Sequence, residues 1–257
     1  MSALAVLWFF LIFVLIAGYF LLDGFDLGVG VLYRALAKDE RERALVRRSI
    51  GPVWDGNEVW LLTAGGALFA AFPAAYATTF SGFYLAVMLV LFGLIVRAVS
   101  LEFRAHDPQW ARAWDVCFTV GSLLPALLLG VALGNVIAGI PMAANGDYAG
   151  VPLLGLLSPF TLVAGLLGLA MCLSAGAAWV ALKAPAGSAV HKRAAKLRVP
   201  CQVAALVLFA VATVLAFTVV KPVFAPGMLA AGVIIALVFL ACVVASIVLG
   251  RKGNDLM

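Results

Sequence analysis

The sequence predicts an all-α, polytopic membrane helix bundle of about seven transmembrane helices, with the N-terminus outside. Three observations lead there. Of 257 residues, 65% are hydrophobic and only 11% are charged, a balance foreign to soluble domains. Uncharged apolar runs recur at the length a bilayer demands, about 20 residues at ~1.5 Å each. The basic residues are also segregated by loop.

The expected spans are 3–33, 51–72, 75–96, 114–139, 156–182, 200–220 and 224–250. The first lacks a basic leader and a small-residue cleavage site and outruns a signal peptide's apolar core, so it is expected to be a retained helix. The uncharged run from Val59 to Val96 is too long for one span, and Phe72-Pro73-Ala74 marks the hairpin that divides it. Segment 139–157 mixes Gly, Pro, Asn and Asp without a basic residue and suits an external loop. Segment 183–199 is a basic connector. Residues 1–257 are expected to form a single integral membrane domain, without a soluble domain or a clear internal repeat.

Lys and Arg resist translocation and collect on the cytoplasmic side. Arg34, Lys38, Arg41, Arg43, Arg47 and Arg48 follow the first span; Arg97, Arg104 and Arg112 follow the third; Lys183, Lys192, Arg193, Lys196 and Arg198 follow the fifth. Arg251 and Lys252 close the chain, so of 17 basic residues only Lys221 falls on the other side. Met1 is therefore expected outside and Met257 inside. The net charge of +5 reports topology, and no nucleic-acid partner is implied.

Against this background four acids stand out. Asp23 and Asp26 are three apart, as are Asp55 and Glu58, so each pair shares a helix face. The orientation puts both pairs in the cytoplasmic half, on the order of 10 Å from the basic loop. An intramembrane carboxylate costs about 2.5–3.5 kcal/mol on insertion scales and needs a role or a partner. One role is a proton path from the cytoplasm through Asp55, Glu58, Asp23 and Asp26, with Asn57 and Trp54 completing hydrogen bonds. The other is structural: pairing with Arg34, Arg47 or Arg97, or capping a helix N-terminus. Gly24, Gly28, Gly30 and Gly65-Gly66 are small faces that let helices approach.

His106 and His191 are the only histidines and are expected in cytoplasmic loops, so no span offers an imidazole to iron. No metal site is expected: the DGFD stretch at 23–26 lacks calcium-loop spacing, and no Glu-x-x-His pair exists. Cys117, Cys172, Cys201 and Cys242 lie in or beside four different helices and are expected to be packing residues.

The stretches GYFLLDGFDLGVG at 18–30, SIGPVWDGNEVWLLTAGGALFAAF at 49–72 and FSGFYLAVM at 80–88 resemble the second subunit of cytochrome bd-type quinol oxidases, most strongly over 19–104. The resemblance implies an electrogenic complex of the bacterial cytoplasmic (inner) membrane that reduces oxygen to water with electrons from ubiquinol or menaquinol. It implies two b haems and one d haem held by the partner, subunit I, and no catalytic residue in this chain. A small single-span subunit and a structural quinone are further implications. Asp55 in the WDGN stretch matches the acid implicated in proton delivery. Trp54 and Trp60 fall where the family would place an oxygen route or a quinone contact. The family continues for about two more spans, so its C-terminal helices are expected to be missing here. The rival expectations are a proton-coupled secondary transporter and a purely structural membrane subunit.

Overall fold

The computed structural model describes residues 2–144, 146–221 and 227–251. The described residues form α1 (Ala3–Leu36), α2 (Glu40–Ile50), α3 (Trp54–Ala71), α4 (Pro73–Gly82), α5 (Tyr84–Phe103), α6 (Ala111–Ala138), α7 (Pro159–Lys183), α8 (Ala189–Leu215, prolonged by a π turn to Val220) and α9 (Met228–Arg251). Six of the helices are long and apolar enough to cross a membrane: α1, α5, α6, α7, α8 with its π turn, and α9 up to Gly250. The chain is a multi-pass membrane protein.

The expectation of about seven spans differs from this at two places. Span 51–72 is the 18-residue α3, whose first turns carry Asp55, Asn57 and Glu58 and so fall short in apolar character. Span 75–96 is two helices, α4 and α5, divided at Phe83. The division falls where loop 139–157 packs back. Tyr148 lies against Gly82, and Thr78 Oγ1 donates to the Gly146 carbonyl at 3.0 Å. The last expected span is seen from Met228; residues 224–226, Lys252 and Met257 lie outside the described residues.

The basic segment after α1 also contains a helix rather than only a loop. Asp39 caps α2, its Oδ1 accepting from the Glu42 N–H at 2.9 Å, and Val46 and Ile50, one turn apart, are fully buried beneath it.

Helix α7 packs on α1, α6 and α8; α1 also carries α3, and α6 carries α5. Glycine sets the closest crossings. A Cβ on Gly28 would collide with the Cys172 carbonyl of α7, and one on Gly176 would meet the Gly28 backbone at 2.5 Å. A Cβ on Gly121 of α6 would lie 2.7 Å from the Arg97 nitrogen of α5. A Cβ on Gly30 would collide with the Ser122 side chain, while one on Gly24 would lie 3.8 Å from Cys172 Sγ, a looser approach. A Cβ on Gly65 or Gly66 would meet nothing within 4 Å beyond its own helix backbone, so in this chain they are not a packing face; α3 is an outer helix that meets α1 through other residues. The four cysteines are free thiols, with Cys172 buried at the α1–α7 crossing.

Candidate functional site

The inward stripe of α1 carries Tyr19, Asp23 and Asp26 at spacings of four and three, which aligns them on one face. Both carboxylates are fully buried. Arg97 descends from α5 to meet Asp23, its Nη1 donating to Oδ2 at 2.8 Å and its Nη2 to Oδ1 at 2.5 Å. The guanidinium is itself fully buried. A planar fork on a planar carboxylate fixes direction as well as charge.

Asp26, one turn on, is held differently. Asn57 Nδ2 of α3 donates to Asp26 Oδ2 at 2.7 Å and also lies 3.3 Å from the Leu22 carbonyl. Three buried polar atoms around this cluster have no hydrogen-bond partner among the described residues: Asp26 Oδ1, Tyr19 Oη and Arg97 Nε. Glu58 is half-buried and within electrostatic reach of Asp23, Asp55 and Arg97. Trp60 lays its ring on Gly18, where any Cβ would collide with it, and this seats α3 on α1. Trp54 is half-buried at the start of α3. Asp55 is exposed.

The expected acids therefore separate. Asp23, Asp26 and Asn57 come together in one buried cluster with Glu58 beside it, whereas Asp55 stands on the surface of this chain. Of the three arginines named as alternative partners, Arg97 is the one bound to an acid of the stripe. Arg47 Nη1 instead donates to Tyr33 Oη at 2.6 Å. Tyr19 is the member that sequence reasoning passed over; its signal was its place four residues before Asp23.

A second polar layer lies at the basic end of the bundle. Arg104 Nε donates to Asp115 Oδ1 at 2.8 Å, and its Nη2 donates to both oxygens of Glu40 at 2.7 and 3.0 Å. Arg43 Nη1 joins the same group, 3.1 Å from Glu40 Oε1 and 3.1 Å from Asp115 Oδ2. On the other side of α2, Glu42 Oε2 pairs with Arg193 Nη2 at 2.5 Å, while Arg193 Nε donates to the Leu36 carbonyl at 2.8 Å. Partial desolvation works to raise the Glu40 pKa, but Arg104 and Arg43 outweigh it and hold that carboxyl below the ordinary range. Arg193, with the Lys38 N–H, lowers Glu42 likewise.

His106 lies just beyond α5, as expected. His191 does not lie in a loop: it is in the first turn of α8, its N–H bonded to the Ser188 cap at 3.2 Å. The Ser188 cap starts the helix earlier than apolar character alone foretold. Among the described residues no three His, Cys, Asp or Glu side chains are grouped to hold a metal ion.

These features define a membrane helix bundle with an acid–arginine cluster locked inside it. The sequence profile of the cytochrome bd terminal oxidase subunit II family matches residues 4–257, and the chain belongs to that family. It is 41% identical over 212 residues to cytochrome bd-I ubiquinol oxidase subunit 2 of Escherichia coli K12, covering 80% of this chain and 54% of that protein. It is 46% identical over 147 residues to cytochrome bd ubiquinol oxidase subunit 2 of Bacillus subtilis 168, covering 56% of this chain and 44% of that one. The chain spans about half the length of the relatives it matches. In fold it resembles a chain of the bd oxidase from Geobacillus thermodenitrificans, with a TM-score of 0.65 at 19% identity over 81% of this chain and 66% of that one.

Proposed function

We propose that the chain is subunit II of a bd-type quinol oxidase of the bacterial inner membrane, a complex that reduces oxygen to water with electrons from a quinol and builds a proton motive force. In this reading it supplies scaffold and a cytoplasmic proton path, with the N-terminus outside. Subunit I is its partner. Family membership and the names of its relatives support the oxidase reading.

The proton path rests on one observation: buried Asp26 uses one oxygen to accept from Asn57 and keeps the other, Oδ1, without a protein partner, in a cluster with Tyr19 and Arg97 that also has unpartnered polar atoms. Buried polar atoms of this kind are where internal water binds, and a carboxyl bridged by water can take up and release a proton. Asp23, clamped by Arg97, is the fixed charge that organises the cluster. Asp55, exposed on α3 beside Glu58, is the entry group.

The two imidazoles do not fit axial haem ligation at membrane depth, since His106 follows the end of α5 and His191 opens α8. The haems are therefore assigned to the partner subunit, where they would carry the electron transfer to oxygen. This chain's residues hold and move protons.

Copurification tests the assembly: the chain should bring down a second, larger membrane chain with haem, and haem bound to the isolated subunit would refute the assignment. In the assembled complex, Asp55→Asn should lower quinol-driven oxygen uptake per haem by roughly tenfold or more while leaving haem content unchanged. Unaltered uptake per haem would remove Asp55 from the path.

A further inference from the structure

The arginines on and around α2 differ in what they meet, and Arg47 donates to Tyr33 Oη. Arg43, Arg104 and Arg193 each meet a carboxylate. Arg41 and Arg48 meet none: among the described residues neither side chain has a hydrogen bond or an ion pair. Both are exposed and seven residues apart, two turns along one face of α2, with Leu45 between them. That face is distinct from the one that buries Val46 and Ile50, and from the one that presents Glu40, Arg43 and Arg47 to neighbouring helices.

This face of α2 forms one wall of a groove of about 490 Å³; the end of α7 forms the other. Lys183, the last residue of α7, lies 4.7 Å over the Trp179 ring. Trp179 is fixed from both sides. It stacks on Phe25 at 4.1 Å between centroids, and its Nε1 donates to the Ser49 carbonyl at 2.9 Å. Val53 closes the apolar side, and among the described residues no acidic one lines the groove. Three cations therefore converge on a rigid aromatic floor with no carboxylate to neutralise them.

We propose that this groove binds the phosphodiester headgroup of an anionic phospholipid, with Arg41, Arg48 and Lys183 on the phosphate and Leu45, Val53 and Trp179 against the glycerol and first methylenes. The shared chemistry is a phosphate oxyanion. The lipid is its source because the groove opens at the end of a membrane-spanning helix, at the boundary where tryptophan rings settle, and most of its lining is apolar. A soluble phosphate would gain nothing from that apolar part. The proposal depends on the membrane placement of α7 and not on the oxidase reading.

The test uses the purified membrane protein, with the subunits that accompany it, in nanodiscs of phosphatidylcholine doped with phosphatidylglycerol. Phosphatidylglycerol retained per chain after release into detergent is read by native mass spectrometry. Wild type should retain it in preference to phosphatidylcholine, and Arg41→Gln/Arg48→Gln should retain roughly tenfold less. Lys192→Gln/Lys196→Gln, which removes equal charge elsewhere on the basic side, should match wild type. Equal retention by the groove variant and wild type overturns the site, as does an equal loss in both double variants. Stripping of the lipid by excess inorganic phosphate would assign a free-oxyanion site and overturn the lipid. If the double variant does not assemble, Lys183→Gln is read in its place on the same terms.

Discussion

Arg97 of α5 holds Asp23 of α1 through both nitrogens of its fork, and neither side chain exposes any surface. Removing one partner leaves the other as a buried charge without compensation, a change that costs about 3–5 kcal/mol. Arg97→Gln and Asp23→Asn should each lower the thermal stability of the detergent-solubilised chain by an amount of that order. Combining them should recover part of the loss, because no lone charge remains. A coupling energy below about 0.5 kcal/mol in the double-mutant cycle would show that the pair is not what joins α1 to α5.

Asp26 should behave otherwise. In Asp26→Asn the side-chain carbonyl still accepts from Asn57, so packing survives while the exchangeable proton is lost. Assembly and haem content should stay at wild-type levels, and oxygen uptake per haem should fall roughly tenfold or more. Asn57→Leu gives the complementary result, a stability loss of about 1–3 kcal/mol from an acid deprived of its donor. Normal turnover in an assembled Asp26→Asn complex would leave the proton path without its central group.

The glycines divide by what surrounds them. Gly28→Ala places a methyl inside contact distance of backbone on α7, which has no rotamer to yield, so α1 and α7 must separate and the chain should lose its stable fold. Gly65→Ala meets nothing within 4 Å, and its effect on the isolated chain should stay within about 1 kcal/mol, in the stabilising direction of helix propensity. Thermal unfolding of both variants side by side decides this. A tolerated Gly28→Ala would mean that the crossing is looser than its backbone spacing.

What the sequence made legible follows from which interactions are local. Span positions and the charge bias are properties of runs, so α1, α6, α7 and α9 lie close to where they were expected. The pairing of Asp23 with Arg97 spans 74 positions, and no periodicity connects them; three arginines were equal candidates until the α5–α6 crossing at Gly93 and Gly121 brought one within reach. Helix α2 was hidden differently. Its start was readable, because Asp39 precedes Glu42 by the three residues of a capping pair. Its charged surface outweighed the two apolar residues that anchor it. The groove beside α2 needs both helices, so it was visible only once α7 ended next to Arg41 and Arg48.

That anchoring makes α2 sensitive to acid. Glu40 and Glu42 both titrate below the ordinary glutamate range, the first chiefly against Arg104 and the second chiefly against Arg193. A folded-state value below the unfolded one means that the stabilisation is complete above the unfolded pKa, about 4.3, and is lost as pH falls through the lower, folded value. Asp39 at the cap and Asp115 beneath Arg43 and Arg104 are carboxylates of the same layer. Amide exchange in residues 40–50, corrected for the intrinsic pH dependence, should therefore show protection that is constant from neutral pH to about pH 5 and declines below about pH 4. Glu42→Gln should bring part of that decline to neutral pH, because the Arg193 contact loses its charge at every pH, and should leave a shallower acid transition carried by Glu40. Protection that stays level through the acid range in wild type would mean that Val46 and Ile50 alone hold α2 in place.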